Sequence, residues 1–257
     1  MKIRQTWVLA KGVFIENLRN QSFFFLGSLG IGILFVAVPI SNMAVGSSQR
    51  VFQTYGFWII GIWGLALALF FGVNIIKHEL INRTIYLLLA RPIERYVIVL
   101  GKCIGILGLI TGLFFMMAMV FIAQLYLLEI SVNTSFWVAL GFIYFEWILL
   151  SFFSIFFSTF TSPVLHIFFL MGIYFMGHWS KYLYIYSQNM DTQIAKKILV
   201  VLYWLIPNLE LLNFREAAIY GDTLDIYVII KSFSVFFFWA STILMLSLAV
   251  FDHKRIS

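Results

Sequence analysis

Five runs of more than twenty predominantly apolar residues, at 23–45, 56–76, 97–128, 136–160 and 164–187, limit what this chain can fold into. A helix crosses the hydrocarbon core with about 20 such residues, because it satisfies every backbone N–H and C=O internally. A sixth run, 227–251, follows a mixed stretch. Closed barrels alternate apolar and polar residues in segments of about ten, a period absent from these runs. The expected fold is therefore an all-α integral membrane protein with six transmembrane helices in one domain spanning 1–257. Composition agrees, with 62% hydrophobic and only 11% charged residues, whereas about a quarter of a soluble domain is charged. The first run exceeds the 7–15-residue core of a signal peptide and starts late, at residue 23, so it is expected to stay as an anchor.

Orientation follows from Lys and Arg near the span ends. With the N-terminus inside, eleven of the seventeen fall on the cytoplasmic side, and most of the others lie in one long outer loop where the rule is weak. Both termini are expected in the cytoplasm. The formal charge of +6 thus reflects basic span flanks rather than nucleic-acid binding. The single cysteine, Cys103, excludes an intrachain disulfide and is expected as a reduced, packed thiol.

Before the first span, Ile3, Trp7, Ala10, Phe14 and Leu18 recur at three- or four-residue steps, opposite Gln5, Gly12, Glu16 and Arg19. This spacing predicts an amphipathic helix over 1–22 lying along the inner leaflet; a loosely ordered basic tail is the alternative. The outer loop, 188–226, contains the short apolar run 198–206, expected to form an interfacial or re-entrant helix. Pro207 ends that run. A second short helix over 208–220 is expected to stop at Gly221.

Between the second and third spans, residues 77–96 turn polar but stay helix-compatible as far as Ala90. Pro92 then pushes Arg91 toward an extended conformation and is suited to open the next helix. Glu79, Arg83, Arg91, Glu94 and Arg95 crowd this bend. A charged bend tied to two spans can carry force from a cytosolic partner; a solvated loop obeying the charge rule is the plainer reading.

The order Glu79…Arg83-Thr84, Leu87-Leu88, Arg91-Pro92-Ile93-Glu94-Arg95 and Gly101-Lys102 resembles the ABC-2 type exporter permeases. Family members usually carry Ser where this chain has Ala90 or Glu94. The N-terminal helix with Glu16 and Arg19, the six spans and Leu205-Ile206-Pro207-Asn208 extend the resemblance to nearly the whole chain. It implies a permease paired with a second permease subunit, in a homodimer as the expectation or a heterodimer as the alternative, and two copies of a cytosolic ABC ATPase, which would hold ATP and Mg. Glu79, Arg83, Thr84, Arg91, Pro92, Ile93, Glu94 and Arg95 would form the ATPase-coupling element. Trp7, Lys11, Phe14, Glu16 and Arg19 would belong to a connecting helix that also touches the ATPase. The chain itself is expected to bind no nucleotide. Around Gly101-Lys102, Tyr96 stands where a phosphate loop needs its first glycine and Cys103 where it needs Ser or Thr.

Gly101, Gly105, Gly108 and Gly112 share one face of the third span, and Gly61, Gly64, Ala68 and Gly72 one face of the second. Small residues let membrane helices approach closely, within the subunit or across a dimer interface. Glu146 is the only carboxylate well inside a span. A charge at mid-membrane costs at least ~2.5–3.5 kcal/mol, so it must face protein or water or be protonated. It is a candidate for a translocation path or for a structural hydrogen bond. His166 and His178 lie about three turns apart, too far to share a metal, and no metal or cofactor is expected on this chain. No Ser/His/Asp set can be argued from spacing.

The leading functional expectation is a permease that couples a partner's ATP hydrolysis to export across a bacterial or archaeal cytoplasmic membrane. An ion-driven transporter would call for paired broken helices and more midplane charge. A non-transporting scaffold, moved by the same ATPase and binding an envelope protein through 188–226, is the other reading.

Overall fold

In the computed structural model, which describes residues 2–44, 46–75, 94–190 and 192–253, all the long apolar runs are helical. The helices are α1 (Lys2–Arg19), α2 (Gln21–Asn42), α3 (Ser48–Ile75), α4 (Arg95–Leu127), α5 (Thr134–Ser158), α6 (Pro163–His178), α7 (Ser180–Gln188), α8 (Gln193–Leu205), α9 (Arg215–Tyr220) and α10 (Ile226–His253). A 3₁₀ helix, Leu209–Leu212, lies between α8 and α9. No strand occurs among the described residues. Short polar side chains mark the starts, where backbone N–H groups lack helical acceptors. Asn20 accepts from Ser22 N–H at 3.0 Å, and Asn133 from Phe136 N–H at 2.8 Å. Gly221, at φ 77°, ends α9 in the left-handed conformation that a glycine adopts without strain.

Helices α2, α3, α4, α5 and α10 are long and apolar enough to cross a membrane. The expected span over 164–187 is instead divided. Helix α6 has sixteen residues, about 24 Å at 1.5 Å per residue, and Trp179 separates it from α7. The residues flanking that break bind elsewhere: His178 reaches α5, and Ser180 Oγ donates to Asn208 Oδ1 at 2.7 Å.

Segment 188–226, expected to carry an interfacial or re-entrant helix, divides at Pro207. Helix α8 buries no residue, as a surface helix would. After Pro207, however, Leu209, Leu212, Phe214 and Ala218 are core residues. The two halves are bent by 46° at this break, and the expected second helix over 208–220 is a 3₁₀ turn followed by α9.

Spans α3 and α5 are the most buried, while α2 and α10 are largely peripheral. Close approach at the centre depends on glycine. Gly56 lies against the Phe121 ring and Gly64 against the Trp147 indole, whose Nε1 donates to the Ile60 carbonyl at 3.1 Å. Around them Phe57, Phe121 and Phe136 pack with ring centroids 5.1–5.7 Å apart, a separation typical of favourable aromatic pairs.

Candidate functional site

Two arrangements concentrate the chain's polar chemistry. The first is the seam between α1 and α4. A Cβ placed on Gly101 would lie 2.7 Å from Leu9 Cβ, and one on Gly105 2.8 Å from Val13 Cβ and 2.9 Å from the Ala10 carbonyl. Gly108 lies beside the Phe14 ring, and Gly112 has open space beside it. The glycine stripe of α4 is therefore a bed for α1, and Ala10 is buried in it. The buried face of α1 runs through Thr6, Leu9, Ala10 and Val13. Ile3, Trp7 and Val8 remain exposed on an adjoining apolar arc, Phe14 is half-buried, and Lys11, Glu16 and Arg19 are exposed.

At the end of this seam Lys2 Nζ sits 2.8 Å from Glu94 Oε1 and 3.1 Å from Oε2, and 5.7 Å from the centroid of the Tyr96 ring. The hydrogen bond to Lys2 holds the Glu94 carboxyl below its usual range, and the same bond raises Lys2. Both groups are exposed, so water and salt weaken the pair. Glu94 caps α4 in position only; its carboxylate turns to Lys2 instead of the helix N–H groups. Arg95 opens α4. Glu79, Arg83, Thr84, Arg91, Pro92 and Ile93 lie outside the described residues. Gly101 and Lys102 lie inside α4, with Gly101 closed off by α1.

The second arrangement is a buried ion cluster around Glu146, which is 1% exposed at the middle of α5. Its Oε1 takes a hydrogen bond from His178 Nε2 at 2.9 Å and its Oε2 one from Arg215 at 2.7 Å. A carboxylate can only accept, so Nε2 carries the proton. His178 Nδ1 faces Glu210 Oε2 at 3.7 Å. Asn213 ties the turn together: its Nδ2 donates to Glu210 Oε2 at 3.1 Å, and its Oδ1 accepts from Arg215 N–H at 3.4 Å. The Tyr174 ring meets the His178 ring edge-on at 4.8 Å. With His178 protonated, two anions face two cations. Glycine makes room here too, since a Cβ on Gly61 would come within 2.5 Å of the Arg215 guanidinium.

This cluster joins three parts of the chain, α5, the end of α6 and the segment 208–220. The same segment is fastened at the end of the bundle where α3 and α5 begin. Asn133 Nδ2 donates to the Ala218 carbonyl at 2.9 Å, Ser135 Oγ to the Asp222 carbonyl at 2.6 Å, and Arg50 lies 5.5 Å from the Tyr220 ring centroid. The bent segment 208–220 is thus held by ion pairs to α5 and α6 on one side and by hydrogen bonds to the start of α5 on the other. Sequence reasoning placed Glu146 but missed His178, Glu210 and Arg215 as its company. The usable signal was the need of any mid-membrane carboxylate for a cation.

The remaining glycine of the second span, Gly72, abuts Ser154 and His166. Ser154 Oγ donates to the Ala68 carbonyl at 2.5 Å, so it accepts from His166 Nε2 at 2.8 Å. This pair stitches α3, α5 and α6 together. No group of three or more His, Cys, Asp or Glu suited to a metal occurs among the described residues.

The search among curated proteins returned no match. Among protein families, the one described as ABC-2 family transporter protein matches residues 8–255, from α1 to the last helix. With nearly the whole chain matched and five to six membrane-length helices in place, the protein belongs to the ABC-2 transporter family, as a multi-pass permease subunit of an ABC transporter.

Proposed function

We propose that this permease subunit works as an exporter, its spans moved by ATP and Mg bound on a separate ABC ATPase. The family implies such a partner; two ATPase copies and a second, identical permease complete the proposed assembly. In this reading the membrane is the cytoplasmic membrane of a bacterium or archaeon, with both termini in the cytoplasm. The observation that carries the reading is the α1–α4 seam. Closely packed helices transmit displacement because interiors resist compression. A push on the bend before Glu94 would therefore move α4 and α1 together. Lys2–Glu94 closes the seam where the described part of α4 begins; the proposed coupling residues Glu79, Arg83, Thr84, Arg91, Pro92 and Ile93 precede it in sequence and Arg95 follows, while Trp7, Lys11, Glu16 and Arg19 would offer α1's free faces to the ATPase or the leaflet.

At the opposite end, a plug formed by 208–220 would be the barrier that the cycle opens. Glu146 then acts as the anchor of that barrier in its closed position. The test is the complex of this chain with its ATPase in lipid, carrying Arg91→Ala and Glu94→Ala together. Loss of ATPase stimulation with the complex still assembled, or loss of assembly itself, supports the coupling role. Unchanged assembly and unchanged transport-linked ATP hydrolysis would overturn it.

A further inference from the structure

A cleft of about 470 Å³ lies between α8, the 3₁₀ helix and α10, on the side of segment 208–220 that Leu211 lines. Its volume is in the range of small-molecule sites. Tyr203, Trp204, Lys231, Ser234, Phe238 and Trp239 line it, and no acidic side chain does. Lys231, Ser234 and Phe238 recur at three- and four-residue steps, so they share one face of α10. Lys231 is exposed, and no hydrogen bond or ion pair joins it to another described residue. Ser234 Oγ is spent on the Ile230 carbonyl and Asn208 Oδ1 on Ser180 and Leu211 N–H. The lysine ammonium is thus the one cation among the residues lining the cleft.

Depth decides what that donor can meet. The apolar part of α10 runs over 26 residues, about 39 Å at 1.5 Å per residue, so each end overshoots the ~30 Å hydrocarbon core by roughly 4–5 Å. Lys231 follows Ile226 by about 7–8 Å along the axis, just beneath the boundary and within snorkelling reach of the headgroups. Phe238 lies roughly 10 Å deeper. Along α10 the cation therefore sits at the shallow end and the apolar surface at the deep end, and Tyr203 and Trp204, amphipathic rings of the kind that favour the interface, also line the cleft. The walls are fixed, because Ser232 Oγ donates to the Leu211 carbonyl at 2.6 Å and holds the 3₁₀ helix against α10.

We infer that this cleft binds an anionic amphiphile, its phosphate on Lys231 and one acyl chain along Val235, Phe238 and Trp239. A lysine merely snorkelling into water would need no cleft beneath it. The inference does not rest on the export reading, since a bound lipid requires neither ATPase nor transport. It does place a ligand one residue from the buried cluster: Leu211 lines the cleft while Glu210, its neighbour in the same turn, faces His178.

The test uses the full chain in detergent micelles, with native mass spectrometry of retained lipid. Phosphatidylglycerol should be retained at least five-fold over phosphatidylcholine. Lys231→Gln should reduce this to the phosphatidylcholine level, while Lys231→Arg and the control Lys197→Gln, a second exposed lysine, should keep it. Ser234→Trp, which fills the cleft and spares the charge, should also expel the lipid. Equal retention of the two lipids, or full retention in Lys231→Gln, overturns the proposal. Displacement of phosphatidylglycerol by millimolar inorganic phosphate would overturn the acyl half and leave a site for a free anion.

Discussion

Glu146 is the residue whose surroundings say most about this protein. Arg215 and His178 reach it from 69 and 32 residues away. That separation explains why the sequence carried only half the information. The demand for a counter-charge follows from one carboxylate in an apolar run, but nothing in local spacing selects Arg215 from the other basic residues of the loop. Removing one partner of a buried pair strands the other charge and typically costs 3–5 kcal/mol, whereas removing both is often near neutral. Arg215→Met alone should therefore lower the melting temperature of the purified protein markedly. Combining it with Glu146→Gln should recover most of the loss. A double variant as unstable as the single one would mean that the ion pair is not what holds segment 208–220 against α5.

At the scale of elements, the third-span glycines and a helix before the first span were both legible from periodicity, yet their contact was not. Two stripes on different helices carry no mark of which meets which. Burial also rotated the reading of α1. The stripe chosen from apolar spacing centres near Trp7, but the face against α4 centres on Thr6, Ala10 and Val13, leaving Trp7 exposed. Apolar residues there therefore fall on two faces, one packed against α4 and one left exposed. The glycines make a sharp comparison. Gly105→Ala would press its methyl within 2.9 Å of the Ala10 carbonyl, a backbone atom that cannot swing away, whereas Gly112→Ala meets nothing within 4 Å. Hydrogen exchange across residues 2–19 should accelerate several-fold in Gly105→Ala and stay at the wild-type rate in Gly112→Ala. Equal rates in the two would show that α1 does not depend on this bed.

For the molecule as a whole, the class and five of the spans were readable because a bilayer imposes length and apolarity on each crossing segment. The divided fifth span was not, since residues 164–187 contain no proline after Pro163 and no glycine pair to announce a break. Long-range hydrogen bonds from His178 and Ser180 interrupt it. The division leaves α6, whose Phe168, Phe169 and Phe175 are exposed, roughly 6 Å shorter than the hydrocarbon it borders. Hydrophobic mismatch of that size costs fractions of a kcal/mol per ångström, on the order of 1–3 kcal/mol in all. If α6 alone crosses the membrane, the neighbouring acyl chains must shorten or splay, which predicts a bilayer pinched beside this helix. Reconstituted into lipids of fixed headgroup, the protein should melt higher in fourteen-carbon than in eighteen-carbon acyl chains, and a flat dependence on chain length would count against the pinch. A thinned annulus also brings the two headgroup layers closer together along one flank, so the flank of α6 is where an amphipathic molecule would have the shortest distance to cross.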